Sequence, residues 1–180
     1  MRRAVFLDRD GTINVEKDYL YRIEEFEFID GSVEAIKLLN EAGFLVVVVS
    51  NQSGVARGYY SEGDVELLHR HIASELEKSG ARVDAWMFCP HHPDGGGSYS
   101  LPCICRKPLP GMLKEAASRY HIALEASVMI GDKLADIGAG NAAGCRAILV
   151  RTGYGADHAN LVSSSTEVYD NLLAAVKSLI

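Results

Sequence analysis

The stretch AVFLDRDGT, residues 4–12, runs from an apolar segment directly into two carboxylates and a glycine. A short apolar run that stops at polar residues is typical of a strand buried on both faces. Asp8 would then lie at the strand end and Asp10 in the following turn. In an open α/β sheet, ligands bind beyond the carboxyl ends of the strands, so we expect both acids to face a ligand. Taken alone, Asp10-Gly11 is also typical of an ordinary turn.

Similar apolar runs, each ending in polar or turn residues, recur along the chain. They cover residues 44–51, 83–88, 127–132 and 146–152. Helical patterns lie between and after them, at residues 32–43, 61–76, 111–122, 134–144 and 168–179. This alternation predicts a three-layer open parallel α/β sheet of the Rossmann-like kind, with helices on both faces. The connecting segments are too short for a separate cap domain, so we expect one domain over residues 1–180.

Helix boundaries are marked by local signals. Ser32 is placed to cap the first helix, and Gly43 suits a left-handed residue at its end. Ser61 and Asp64 have the spacing of a capping box for the second helix. His69 and His71 are two residues apart on that helix, so they do not share a face, and we expect both to be exposed.

Composition limits the kind of protein this is. The 180 residues are 48% hydrophobic and 23% charged, which suits one compact core. The net charge of -6 disfavours binding to nucleic acid or anionic membrane, which needs basic patches. The apolar runs are too short for a signal peptide or a bilayer span. We therefore expect a cytoplasmic protein, a monomer, acting on a small molecule.

Three more polar motifs follow predicted strands. The second strand ends in Ser50, Asn51, Gln52, Ser53 and Gly54. The fourth ends in Gly131-Asp132-Lys133, with Asp136 close behind, and the basic pair Arg106-Lys107 precedes a proline-broken turn. Each could be a solvated loop by itself. Together they place acids, a hydroxyl and cations at one sheet edge.

A second group of residues points to a metal. Cys89, Cys103 and Cys105 lie in one Gly- and Pro-rich segment, residues 89–105. With one histidine they supply the four ligands of a closed structural zinc site. Chemistry alone accepts either His91 or His92 as the fourth ligand. Cys145 stands apart and suits a small buried residue.

The motif order D-x-D-G-T, Ser/Thr, Lys and G-D-x-x-x-D resembles the haloacid dehalogenase superfamily of phosphatases over essentially the whole chain. Within it, the sequence closely resembles the D-glycero-D-manno-heptose 1,7-bisphosphate 7-phosphatases. The stretches that carry this resemblance are FLDRDGTIN, FEFIDG, VVSNQSGVARG, CPHHP, CICRKPLPGM, MIGDKLAD and LVRTGYG.

The resemblance implies a mechanism. Asp8 would be the nucleophile that forms an aspartyl-phosphate, and Asp10 the general acid and base. Mg²⁺ would be held by Asp8, the Asp10 carbonyl and Asp132. Ser50 and Lys107 would bind the transferring phosphoryl group.

The resemblance also implies substrate and zinc contacts. Arg106 would hold the second phosphate of a bisphosphate, and the resemblance selects His91 as the zinc ligand. Asp136 would orient Lys133 or a metal-bound water. Further substrate contacts would come from Asn51, Gln52, Ser53 and Lys133.

Two rival functions remain open at this point. A histidinol-phosphate phosphatase would resemble the chain in both the catalytic motifs and the zinc loop. A zinc-stabilised nucleic-acid-binding module, or a DNA end-phosphatase, is disfavoured by the acidic balance.

Overall fold

The computed structural model describes residues 1–180. It contains one six-stranded, fully parallel sheet in the order β3-β2-β1-β4-β5-β6. The strands are β1 Ala4–Leu7, β2 Leu45–Asn51, β3 Ala85–Cys89, β4 Val128–Gly131, β5 Arg146–Val150 and β6 Glu167–Tyr169. The helices are α1 Ser32–Glu41, α2 Ser53–Ala56, α3 Glu62–Lys78, α4 Gly111–Tyr120, α5 Leu134–Ala143, α6 Gly155–His158 and α7 Leu172–Lys177.

Strand β1 is apolar at every position because it packs against helices on both of its faces. Val5 and Leu7 pack into one core with α1, α3 and α7, whereas Ala4 and Phe6 pack into a second core with α4 and α5. Successive side chains of a strand point to opposite faces, so a strand covered on both faces needs apolar residues at every position. The predicted three-layer architecture is confirmed.

The chain order reverses at β1, which pairs with β2 on one side and β4 on the other. This is the topological switch point at which open α/β sheets bind ligands. Asp8 follows β1 directly, and Asp132 follows β4. The fold therefore brings two acids that are distant in sequence to the same crevice.

Several local predictions are confirmed, and two concerning helix starts are wrong. Ser61 and Asp64 form the capping box, and Gly43 has a left-handed φ of 79°. Ser32, however, makes no capping hydrogen bond, because Gly31 is the N-cap residue of α1. The predicted last helix began too early, since residues 167–169 form strand β6. No helix of the structure combines the length and apolar character needed to cross a membrane.

Candidate active site

A buried lysine contacts two acids that are distant from each other in the sequence. The ammonium of Lys107 lies 2.8 Å from Oδ1 of Asp8 and 2.6 Å from Oδ1 of Asp136. It also donates to the Val49 carbonyl at 2.7 Å. Burial alone would lower the pKa of Lys107, but the two carboxylates raise it above its ordinary value. The structure thus fixes a permanent positive charge beside Asp8.

Asp136 has a different partner from the one expected. Its carboxylate accepts from the backbone N–H of Lys133 at 2.9 Å, but its charge is paired with Lys107. The ammonium of Lys133 instead pairs with Glu16 at 2.9 Å. Burial and the nearby Asp8 raise the pKa of Asp136 to about 6. Asp136 therefore positions Lys107, not the side chain of Lys133.

Asp132 has one carboxylate oxygen without a partner. Its side chain is fully buried, and Oδ2 accepts from the backbone N–H of Tyr154 at 2.8 Å, whereas Oδ1 has no hydrogen bond. Burial and the charge of Asp8 raise the pKa of Asp132 to about 8. An oxygen that is buried and unpaired is costly unless a cation or a water satisfies it.

The acid cluster fits a hard divalent cation. Oxygens of Asp8, Asp132 and Asp136 lie within 4.8 Å of one another. Because Asp136 is committed to Lys107, the free ligand oxygens belong to Asp8 and Asp132. Carboxylate oxygens are the ligands that Mg²⁺ prefers.

The segment after β5 holds Asp132 in place. A Cβ atom added at Gly153 would lie 2.2 Å from Oδ2 of Asp132, and one added at Gly11 would lie 2.3 Å from it. Both glycines have left-handed backbones, with φ of 56° and 84°. The hydroxyl of Thr152 donates to the Gly11 carbonyl at 2.6 Å, which ties this segment to the DGT turn. Only glycine fits these two positions.

Asp10 is surrounded by hydrogen-bond donors. Both of its oxygens accept from the Arg9 guanidinium, at 2.9 to 3.2 Å. Asn14 and Gln52 each donate to it at 3.0 Å. Burial would raise the pKa of Asp10, but Arg9 and these hydrogen bonds outweigh it and lower the pKa below its ordinary value. These contacts favour the carboxylate form of Asp10.

Asn51 and Gln52, at the carboxyl end of β2, form hydrogen bonds with other residues of the site. The side-chain amide of Asn51 donates to the Lys107 carbonyl and accepts from its N–H, both at 3.0 Å. Gln52 donates to Oγ of Ser50 at 2.7 Å and accepts from the hydroxyl of Tyr60 at 2.7 Å. Asn51 thus anchors the backbone of Lys107, while Gln52 connects Ser50 with Asp10.

Two openings reach this region. A pocket of about 200 Å³ is lined by Asp10, Glu16, Ser53, Lys133, Tyr154 and neighbouring residues. A larger cavity of about 470 Å³ lies beside Arg106, between the segment 91–93 and the segment 100–109. Lys107, which contacts Asp8, also lines this cavity, whereas Asp10 lines the smaller pocket.

Four side chains of the cysteine-rich segment form a compact cluster that could hold a metal ion. Ligand atoms of Cys89, His91, Cys103 and Cys105 all lie within 4.8 Å of one another. The Cys89 sulfur is 2.9 Å from that of Cys105 and 3.6 Å from that of Cys103. His92 points elsewhere, toward Arg57 at 3.4 Å. The four side chains fit a closed tetrahedral site, with His91 as the histidine.

Three residues of this region carried no signal in the sequence. Arg9 and His69 are buried and lie 3.3 Å apart, although the helix pattern predicted an exposed His69. Glu16 reaches Lys133 across the pocket. The contact between Arg9 and His69 spans 60 residues, and such a contact cannot be inferred from local spacing.

The comparisons agree with this geometry. The HAD-hydrolase-like family model matches residues 104–175. A D-glycero-β-D-manno-heptose-1,7-bisphosphate 7-phosphatase of Pasteurella multocida is 42% identical over 99% of this chain and 100% of that protein. A D-glycero-α-D-manno-heptose-1,7-bisphosphate 7-phosphatase of Photorhabdus laumondii is 38% identical over 99% of this chain and 96% of that protein.

A solved structure is similar throughout. The D,D-heptose 1,7-bisphosphate phosphatase of B. bronchiseptica, complexed with magnesium and phosphate, has a TM-score of 0.89 and 37% identity, covering 98% of this chain and 97% of that one. Relatives of this identity and coverage show common descent over nearly the whole chain. The chain therefore belongs to the haloacid-dehalogenase-like hydrolases, in the family of the heptose-1,7-bisphosphate 7-phosphatases.

Proposed function

We propose that this protein hydrolyses the 7-phosphate of D-glycero-D-manno-heptose 1,7-bisphosphate, leaving heptose 1-phosphate for the synthesis of nucleotide-activated heptose. The observation that carries the proposal is the convergence of Asp8, Lys107 and the unpaired oxygen of Asp132 at one sheet edge. The names of the two relatives supply the substrate class. One relative is named for the β anomer and the other for the α anomer. The anomer that this protein prefers must therefore be measured.

The chain's own residues supply both half-reactions. Asp8 attacks phosphorus and forms an aspartyl-phosphate while the bond to the sugar oxygen breaks. Protonated Asp10 gives that oxygen its proton, and as a carboxylate it later takes a proton from the water that hydrolyses the intermediate. Arg9, Asn14 and Gln52 lower the pKa of Asp10 below its ordinary value, which supports the carboxylate form that the second half-reaction needs.

Phosphoryl transfer depends mainly on positioning and on neutralising charge. Lys107, held by Asp136 and by Asn51, presents its ammonium to the phosphoryl oxygens. Ser50 accepts a hydrogen bond from Gln52, so its own O–H can donate to another phosphoryl oxygen. Mg²⁺, held by Asp8, Asp132 and the Asp10 carbonyl, would neutralise charge on the phosphate.

The second phosphate of the substrate would bind at Arg106. Its guanidinium donates to the His91 carbonyl at 3.3 Å and lines the larger cavity. Burial and the positive charges of Arg106 and Arg57 lower the pKa of His92, which lines the same cavity as Arg106. Ser53 and Lys133 line the other opening and would contact substrate oxygens.

We also propose that zinc at Cys89, His91, Cys103 and Cys105 orders the loop that delivers Arg106 and Lys107. A closed four-ligand site leaves no position for an activated water, so this zinc is structural. The whole chain, residues 1–180, would act as one cytoplasmic phosphatase domain, with residues 89–105 as its zinc loop. It would work as a monomer without nucleic acid, in keeping with the net charge of -6.

The test compares Mg²⁺-dependent phosphate release from the α and β anomers of the heptose bisphosphate and from histidinol phosphate. The proposal predicts a strong preference for a bisphosphate anomer. Arg106→Ala should raise KM for the bisphosphate but change histidinol phosphate turnover little. Preference for histidinol phosphate would contradict the proposal and favour the rival function.

A further inference from the structure

The environment of Arg9 is unusual for a residue within a catalytic motif. Its side chain is completely buried, and every guanidinium nitrogen has a partner. Nε and Nη2 donate to Asp10, Nη2 also donates to the Leu20 carbonyl at 3.0 Å, and Nη1 faces Nε2 of His69 at 3.3 Å. A rigid planar fork with all nitrogens engaged fixes the orientation of the group that it binds.

The protonation state of His69 follows from its partner. A guanidinium has only donors, so Nε2 of His69 must be the acceptor and the ring must be neutral, with its proton on Nδ1. Burial and the charge of Arg9 lower the pKa of His69 to about 3, in agreement with a neutral ring. The ring stacks on Trp86 with centroids 4.7 Å apart, which holds it in place.

We propose that His69 is a positioning residue for the reaction: it orients Arg9, and through Arg9 it aims the carboxylate of Asp10 at the leaving oxygen and the attacking water. This inference rests on the role proposed for Asp10. The alternative is that His69 only fills space between α3 and β3. The two roles use different parts of the imidazole, because positioning needs the acceptor nitrogen and packing needs the ring.

Two substitutions separate the effect of the acceptor nitrogen of His69 from the effect of its packed ring. His69→Phe keeps an aromatic ring against Trp86 but removes the acceptor from Arg9. His69→Gln keeps an acceptor near Nε2 but loses the ring. Positioning predicts slow turnover in His69→Phe and recovery in His69→Gln, whereas packing predicts the opposite order. His71→Phe is a matched control, because His71 lies two residues away on α3 and contacts Phe26 instead.

The readout compares leaving groups under single-turnover conditions. A sugar alkoxide needs the proton from Asp10, but nitrophenolate leaves without one. We expect His69→Phe to slow cleavage of the heptose bisphosphate by about tenfold or more and that of p-nitrophenyl phosphate much less. Equal slowing of both substrates, or a larger defect in His69→Gln than in His69→Phe, would overturn the inference.

An Asp10→Asn variant, measured in parallel, distinguishes failure of the inference from failure of the proposed function. If Asp10→Asn slows the sugar substrate selectively but His69→Phe does not, only the positioning role of His69 is wrong. If Asp10→Asn slows cleavage of the heptose bisphosphate and of p-nitrophenyl phosphate equally, the general acid role of Asp10 is wrong. The positioning role of His69 is then wrong as well. Melting temperatures of all variants confirm that they are folded at the assay temperature.

Discussion

The ammonium of Lys107 lies 2.6 Å from the carboxylate of Asp136, and both groups are almost completely buried. Lys107 is also 2.8 Å from Asp8, so one cation serves two acids. Asp136 thereby takes up part of the charge of Lys107, which would otherwise be balanced by the nucleophile alone. The second acid of the G-D-x-x-x-D motif thus has an electrostatic role in this structure.

We expect Asp136→Asn to lower the free energy of unfolding by about 2 kcal/mol, because it removes a charge-assisted hydrogen bond to buried Lys107, which keeps Asp8 as its other partner. It should also lower kcat, since Lys107 would then pair with Asp8 alone. Urea denaturation and steady-state kinetics measure the two effects. Glu115→Gln, which removes an exposed ion pair with Arg119, is the control and should change stability by less than about 1 kcal/mol. Similar stability of the two variants would argue against the ion-pair role.

The neutral His69 predicts a pH dependence of stability. Burial and Arg9 lower its pKa to about 3 in the folded protein, against 6.5 as the ordinary value. Between these values the unfolded chain binds a proton that the folded protein does not, so stability present above pH 6.5 is lost as the pH falls toward 3. His69 alone should contribute a slope of up to about 1.4 kcal/mol per pH unit. Denaturant unfolding over this range should show the wild type losing stability relative to His69→Phe as the pH falls; a constant difference would contradict the shift.

Gly153→Ala should weaken Mg²⁺ binding. The added Cβ would lie 2.2 Å from Oδ2 of Asp132 and displace that carboxylate. Residues that orient a metal ligand typically change metal affinity by about tenfold to about a hundredfold. The measurement is the rise in melting temperature with added Mg²⁺.

The matched control is Gly144→Ala. Gly144 also has a left-handed φ, of 84°, but an added Cβ there meets nothing within 4 Å. Both variants carry the same kind of backbone strain, so they differ in the contacts of the added Cβ with Asp132 and with Cα of Gly11. Equal Mg²⁺ affinities in the two variants would show that the segment after β5 does not position Asp132.

Removal of zinc should loosen the loop before the catalytic lysine. The cluster joins β3, through Cys89, to Cys103 and Cys105, which lie just before Arg106 and Lys107. Strong chelators, or Cys105→Ser, should speed amide hydrogen exchange in residues 89–107 and lower turnover. Unchanged exchange in this segment after the metal has been removed would refute the proposed role of zinc.

Much of the fold could be predicted because its signals are local. The five longer strands are apolar at nearly every position, which follows directly from burial on both faces. The edge strand Glu167–Tyr169 was missed because it is short, half-buried and polar at one end. Ser32 is not the N-cap of α1 because the helix begins one residue earlier than predicted, with Gly31, at a left-handed φ of 80°, as its N-cap.

The grouping of the acids and of the three cysteines was predictable because their spacing reflects strand ends and ligand pairs, whereas His91 was preferred to His92 only because of the family resemblance. The contacts that hold these residues in place could not be predicted from the sequence. Asn51 anchors the backbone of Lys107 across 56 residues, and Arg9 reaches His69 across 60. Such pairs depend on how α3 and the zinc loop pack on the sheet. Periodicity therefore predicted two exposed histidines on α3, and only tertiary packing shows that His69 is buried.

The most direct test of the central claim follows the two phosphates of D-glycero-D-manno-heptose 1,7-bisphosphate by ³¹P NMR with Mg²⁺ and the wild-type protein or Asp8→Asn. Attack by Asp8 on the 7-phosphate predicts that the C7 ester signal is converted to inorganic phosphate while the C1 signal persists. The Asp8→Asn protein should leave both signals unchanged. Release of the 1-phosphate, or hydrolysis that survives in Asp8→Asn, would contradict the account.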